Sequence, residues 1–287
     1  MWSRNKANLY IRDALNDFHY DPKATPSPIA QRKIYRNKLM LTHLIGFGSG
    51  ISSGAAPDDV TSYLFDGVDD FLSVDDHADW VFGSGNFTID FWVRFTTTDV
   101  DEPLLITQKI NNSNNWKIRR TDKPGIDFGQ YEGGVHTIGS GSKSWDPSDD
   151  TWYHVALIRG WSGNANDYAI TIDGTLQGTS FTDDTDVADF AVPLTIGGFS
   201  GAGDLNILDG NMDEIRISKG IARWTTDFTP ETSQYVSDAN TSLLIHCGET
   251  IVSGTTGSGA TFVDSGNTGH TVTENADAIR DVSVYKF

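Results

Sequence analysis

The segment Asn86–Phe95, NFTIDFWVRF, constrains this chain more than any other stretch. Phe87, Ile89, Phe91, Val93 and Phe95 fall on one side of an extended backbone, and Thr88, Asp90, Trp92 and Arg94 on the other, because successive side chains of a strand point to opposite faces. A period of two sustained this long predicts a strand with one face in a core. The same form recurs in TWYHVALIR (151–159), DYAITIDG (167–174) and AVPLTIGG (191–198), and Asp173-Gly174 supplies a hairpin turn. No helical pattern separates these runs. The expectation from residue 59 to 236 is therefore all-β, a two-sheet antiparallel sandwich. Twenty-nine glycines and 11% aromatic residues fit that expectation, since Gly suits tight turns and aromatics suit pleated surfaces.

Residues 1–58 follow another pattern. In RNKANLYIRDALNDF, Ala7, Tyr10, Ile11, Ala14, Leu15 and Phe18 recur at spacings of three and four, the stripe of an amphipathic helix. A proline-bearing stretch follows, and GFGSGISSGAAPDD (46–59) has linker composition. Eight cations and three aspartates give residues 1–40 a charge of +5, so the rest of this chain of net charge -18 carries -23. The expectation is an attachment arm that docks on an acidic partner through Arg4, Tyr10, Ile11, Leu15, Phe18, Arg32, Lys33 and Arg36; the alternative is that it folds back on the body. The acidic body argues against general nucleic-acid binding. No apolar run is long enough to span a bilayer or to serve as a cleaved signal, and the single cysteine, Cys247, excludes an intrachain disulfide.

In order and spacing, YLFDGVDDFLSV, GSGNFTIDFWVRF, WYHVALIR with YAITIDGTLQG, LTIGG and GNMDEIRISKGIARW resemble the laminin G-like, concanavalin A-like jelly-roll family over residues 61–235. The ending DEIRISKGIARWTTDFTPETSQY is similar to that of domains common in bacteriophage virion proteins of the head and tail. Residues 237–287 resemble lead-in strands that ordinarily precede the YLFDG block. In this chain they follow it, and are expected to complete the sandwich of the same chain or of a neighbour in a homo-oligomer, since unpaired edges invite pairing. The resemblance implies a non-enzymatic virion structural protein, assembled in the host cytoplasm as a capsid decoration, head appendage or tail component. Such a protein would contact other virion proteins through its arm and display a lectin-like domain toward surface glycans. The alternatives are a stand-alone calcium-dependent lectin or adhesin, and a glycan hydrolase.

Asp213 and Glu214 adjoin in NMDEIRISK. Strict alternation separates them, placing Asp213 with Ile215 and Ile217 and placing Glu214 with Arg216 as an exposed ion pair, so no carboxylate pair for glycoside hydrolysis is expected. An inward Asp213 needs a partner, either strand-end amides or Ca2+ shared with Asp66, Asp69 and Asp70 of FDGVDD, as many members of the family bind; the same aspartates also suit a solvated acidic surface. Trp116, Trp145 and Trp161 lie in polar segments of the kind that stack on sugar rings, or else seal the ends of the sandwich. The GISSG motif around Ser52 lacks the flanking strand and helix of a nucleophile elbow.

Overall fold

The computed structural model describes residues 61–98, 102–121, 124–201, 204–253 and 259–287. The proposed arm residues Arg4, Tyr10, Ile11, Leu15, Phe18, Arg32, Lys33 and Arg36, and the motif at Ser52, lie outside the described residues.

Two antiparallel sheets form a sandwich. The first runs Thr175–Leu176, Asp167–Ile172, Trp152–Arg159, Phe87–Phe95, Asp209–Lys219, Ser62–Asp66, Ile279–Asp281; Phe181–Thr182 joins Asp167–Ile172, and Thr241–Ile245 joins Asp209–Lys219. The second runs Ile251–Ser253, Thr261–Val263, Thr271–Asn275, Phe71–Val74, Leu194–Ile196, Leu104–Asn111, Asn114–Arg120, Ile126–Glu132, Val135–Gly139. Phe87, Ile89, Phe91, Val93 and Phe95 all enter one core with Leu72, Ile106, Ile118 and Phe128 of the facing sheet, as their alternation requires. At the hairpin turn Asp173 and Gly174 both have positive φ, at 50° and 76°, and a Cβ on Gly174 would lie 1.9 Å from the Phe228 carbonyl oxygen. Glycine is thus required both for the turn and for the segment that crosses it.

The side of the first sheet turned away from this core is covered too. Trp224 and Phe228, stacked at 3.8 Å, pack with Ala222 against Ala156, Ile158, Trp161 and Ala169. Trp92 is covered separately, by Tyr235, Leu244, Trp152 and Phe287. Together these layers explain why Thr88, Asp90 and Trp92 are buried although they alternate out of the main core.

Residues 237–287 supply strands to both sheets within the same chain. Ile279–Asp281 pairs with Ser62–Asp66, Thr241–Ile245 with the distal half of Asp209–Lys219, and Thr271–Asn275 with Phe71–Val74. The long strand Asp209–Lys219 therefore has Phe87–Phe95 along one side, and two short neighbours, Ser62–Asp66 and Thr241–Ile245, in succession along the other.

Candidate functional site

A bulge lies where those two neighbours hand over. Asp213 faces Trp92 and Arg216 faces Asp90, so one extra residue is accommodated, and Glu214 takes the left-handed conformation at φ 49°. The bulge corrects the alternating assignment. Met212, Ile215 and Ile217 turn inward, whereas Asp213 sits with Trp92 on the opposite side. The expected exposed pair of Glu214 with Arg216 is also corrected, since both are 2% exposed and bind other partners. Glu214 holds His246 Nδ1 at 2.9 Å and accepts the Tyr235 amide at 2.7 Å. Arg216 grips Asp90.

Asp213 accepts the amides of Glu214 at 2.8 Å and Lys286 at 3.0 Å. Lys286 Nζ and the Phe287 ring cover the adjacent Trp92, at 3.8 and 5.8 Å. Burial, with further help from the Glu214 charge, pushes the Asp213 carboxyl up to about 7. At 3% and 2% exposure this acid pair is closed to a polysaccharide by the C-terminal segment, not by strand alternation. A carboxyl whose folded pKa lies above its unfolded value of about 3.9 favours the folded state fully below that value, and loses the contribution as pH rises toward 7. The expected result is that Asp213→Asn flattens the fall in unfolding midpoint between pH 5 and pH 8. An unchanged slope in calorimetry would remove Asp213 as its cause.

Asp66, Asp69 and Asp70 do converge, and the group includes Asp277 in place of Asp213. Asp70 accepts the amides of Asp66 at 3.0 Å and Asp277 at 3.1 Å, and Asp66 caps the Val68 amide at 2.8 Å. These acids therefore already tie the FDGVDD turn to the C-terminal segment through backbone amides.

The three tryptophans are corrected as sugar platforms. Trp116 is fully buried, with Nε1 donating to Gln108 Oε1 at 2.9 Å; Trp145 packs on Phe95 and Tyr153; Trp161 lies under Trp224 and Phe228. None offers a free ring face. Their polar neighbours misled because they alternate: in Asn114–Arg120, Trp116 and Ile118 point inward while Lys117 and Arg119 point outward.

The outward side of the second sheet is polar instead. One register line crosses Thr273, Ser73, Thr195, Thr107, Lys117 and Gly129. At its end lies a cleft of about 220 Å³ lined by Glu102, Lys109, Asn112, Lys117, Arg119 and Asn206. Arg119 is clamped by Asp127 at 3.0 and 3.1 Å and by Glu102. Lys117 Nζ lies 5.1 Å from the Tyr131 ring, which stacks on the exposed His136. Burial lowers the Lys117 pKa, and the charges of Arg119 and Lys109 lower it further. Sequence reasoning missed this cleft although most of its residues lie between 102 and 119, because only the register of the hairpin and the approach of Asn206 set their side chains side by side.

A family model of the concanavalin A-like lectin/glucanases superfamily, Laminin_G_3, matches residues 66–223. The chain belongs to that superfamily. A search of curated proteins finds no match. Among solved structures, a protein from Bacteroides ovatus described as carbohydrate-binding aligns at 14% identity with a TM-score of 0.56, over 78% of this chain and 60% of that one. The present chain thus spans less than two thirds of that protein. Domains LG4-5 of the mouse laminin alpha1 chain align at 14% identity and TM-score 0.39, over 60% of this chain and 48% of that one. Domain 4 of the arabinanase AbnA from Geobacillus stearothermophilus, solved with arabinotriose, aligns at 15% identity and TM-score 0.43, over 61% and 78%. At 14% identity the likeness to the Bacteroides ovatus protein bears on the fold alone.

Proposed function

We propose that this laminin G-like domain is a non-catalytic glycan-binding module, and that its glycan seats in the cleft between Glu102, Lys109, Lys117 and Arg119. The carrying observation is the chemistry of that cleft. A carboxylate, amides and ammonium groups line it for sugar hydroxyls, and Tyr131 stands beside it as an aromatic surface. Three cations, Lys109, Lys117 and Arg119, line it against the one carboxylate of Glu102, in a chain of net charge -18, and a sugar carboxylate would neutralise that local excess. The preferred ligand is therefore an acidic glycan.

An array of acidic and neutral glycans, probed with the full chain, tests the reading. Lys117→Ala is expected to weaken acidic-glycan binding tenfold or more, because a hydrogen bond to a charged group contributes about 1.5–3 kcal/mol and about 1.4 kcal/mol is tenfold. Equal binding by wild type and variant would place the ligand elsewhere. A Ca2+ ion at Asp66, Asp69, Asp70 and Asp277 belongs to the same proposal, and a chelator arm of the array examines it.

The setting we propose is a bacteriophage particle, in which the arm anchors the chain and the sandwich is displayed. The charge split between residues 1–40 and the acidic body supports docking on an acidic assembly. A chain lacking residues 1–45 that still enters particles would refute that anchoring.

A further inference from the structure

A second cluster of chemistry-bearing side chains lies apart from the cleft. His77 precedes the short helical turn Ala78–Trp80, and His270 precedes the strand Thr271–Asn275. The fold brings them together around Asp79. His270 Nε2 lies 2.8 Å from Asp79 Oδ2, and His77 Nδ1 lies 3.4 Å from the same oxygen. The two imidazoles meet edge to face with centroids 4.6 Å apart, and one ligand atom from each of the three residues falls within 4.8 Å of the others.

We propose that His77, Asp79 and His270 form a Zn2+ site that fastens the C-terminal strands to the 77–80 turn. Zinc–nitrogen and zinc–oxygen bonds of about 2.0–2.2 Å in a tetrahedron set ligand atoms about 3.3–3.5 Å apart; the 3.4 Å between His77 and Asp79 matches, and the 2.8 Å between His270 and Asp79 lengthens as the metal enters. Two imidazoles with one carboxylate suit zinc better than calcium, which takes six to eight oxygens. The surroundings hold the donors in place. Thr268 Oγ1 donates to Asp79 Oδ2 at 2.6 Å, fixing the carboxylate from outside. The His270 ring lies 4.6 Å from the fully buried Trp80, and the His270 amide is tied to the Asp264 carboxylate.

Two present bonds must yield: the 2.8 Å contact of His270 Nε2 with Asp79 Oδ2, which the metal replaces once that nitrogen carries no proton, and one at His77. His77 Nδ1 accepts the Asp79 amide at 3.2 Å, at the long limit for such a bond, and the metal replaces it. Lys219 approaches the same turn, but its ammonium is engaged by the Ala78 carbonyl at 2.6 Å. Side-chain exposure rises from 8% at His270 through 23% at Asp79 to 44% at His77. The inner donors are therefore shielded while the outer side stays open, leaving the fourth zinc position to water or to an exchangeable ligand. The outermost donors, His77 and His270, lie 193 positions apart (270 - 77) and join the sandwich's first strands to its last segment.

The test uses the full chain without a polyhistidine tag, stripped of metal and titrated with Zn2+ alone, then with Co2+ for its visible absorption. Saturation at one equivalent, a raised unfolding temperature and a tetrahedral Co2+ spectrum are expected. Loss of an outer-shell partner alone costs about 10–100-fold in metal affinity, so His270→Ala and His77→Ala should each weaken binding by about 100-fold or more. His77→Ala, at the exposed edge, keeps the comparison valid if His270→Ala fails to fold. His136→Ala, an exposed histidine of the second sheet, should bind as wild type does. Absence of saturable binding, retention of it in His77→Ala, or equal binding of Ca2+ would overturn the site. None of these readouts involves a glycan.

Discussion

A chain that ends at Val236 will not fold, and supplying residues 237–287 as a separate polypeptide will restore a soluble complex that unfolds cooperatively. The missing segment carries Leu243, Leu244, Ile245, Cys247, Phe262 and Val272, all fully buried. Each large apolar side chain so buried stabilises by about 1.5–3 kcal/mol, and the group together rivals the entire stability of a typical domain, about 5–15 kcal/mol. Polar partners go with them. Tyr63 loses the Glu274 carboxylate that it meets at 2.9 Å, Asp70 loses the Asp277 amide, and Glu214 loses His246. Ser62–Asp66, Phe71–Val74 and the distal half of Asp209–Lys219 would each present an open edge. Circular dichroism and size-exclusion chromatography of the shortened chain decide the matter: a monomeric, cooperatively melting product would show that the sandwich is complete without this segment.

What the sequence made legible and what it hid divide along physical lines. The sandwich could be read because burial on one face imposes a period of two, and Phe87 to Phe95 keep it without interruption. The turn at Asp173-Gly174 could be read because left-handed backbone selects those residues. Cis or trans placement of residues 237–287 could not be read, since pairing across most of the chain leaves no local mark. The bulge at Glu214 left one trace: Met212, Ile215 and Ile217 are spaced three and then two apart, which strict alternation forbids. That spacing places Asp213 on the side away from Ile215 and turns Glu214 toward His246 and the Tyr235 amide, not toward Arg216. The tryptophans failed for a related reason, because polar neighbours in sequence say nothing about the face a ring occupies. Lys109, Lys117 and Arg119 meet through the register of one hairpin, and His77, Asp79 and His270 only through strand order, so no motif announces either group.

Arg216→Ala is expected to destabilise the protein by about 3–5 kcal/mol, the usual cost of leaving one charge of a buried pair without its partner. Arg216 Nε and Nη2 reach the two oxygens of Asp90 at 3.0 and 2.9 Å, Nη1 reaches Glu231 at 3.3 Å, and the guanidinium lies 4.0 Å from the Tyr235 ring centroid. Burial drives the Asp90 carboxyl upward, yet the Arg216 charge and the His154 hydrogen bond outweigh it and hold the pKa below its ordinary value. Asp90 therefore contributes stability that is present above its unfolded pKa and is lost on acidification. Without Arg216 the sign is expected to reverse, because burial then outweighs the remaining His154 contact and protonation favours the folded state. The variant should thus recover stability as pH falls from neutrality toward the unfolded pKa, where wild type does not recover it by this route. Replacing both partners, as Asp90→Leu with Arg216→Met, should cost far less than the two single changes added together, since no buried charge is then stranded. Denaturant unfolding of the five proteins, wild type, Arg216→Ala, Asp90→Leu, Arg216→Met and the double variant, at two pH values measures both effects. Additive losses, or an Arg216→Ala variant that weakens further on mild acidification, would mean that water or another group already compensates Asp90 beneath Trp224 and Tyr235.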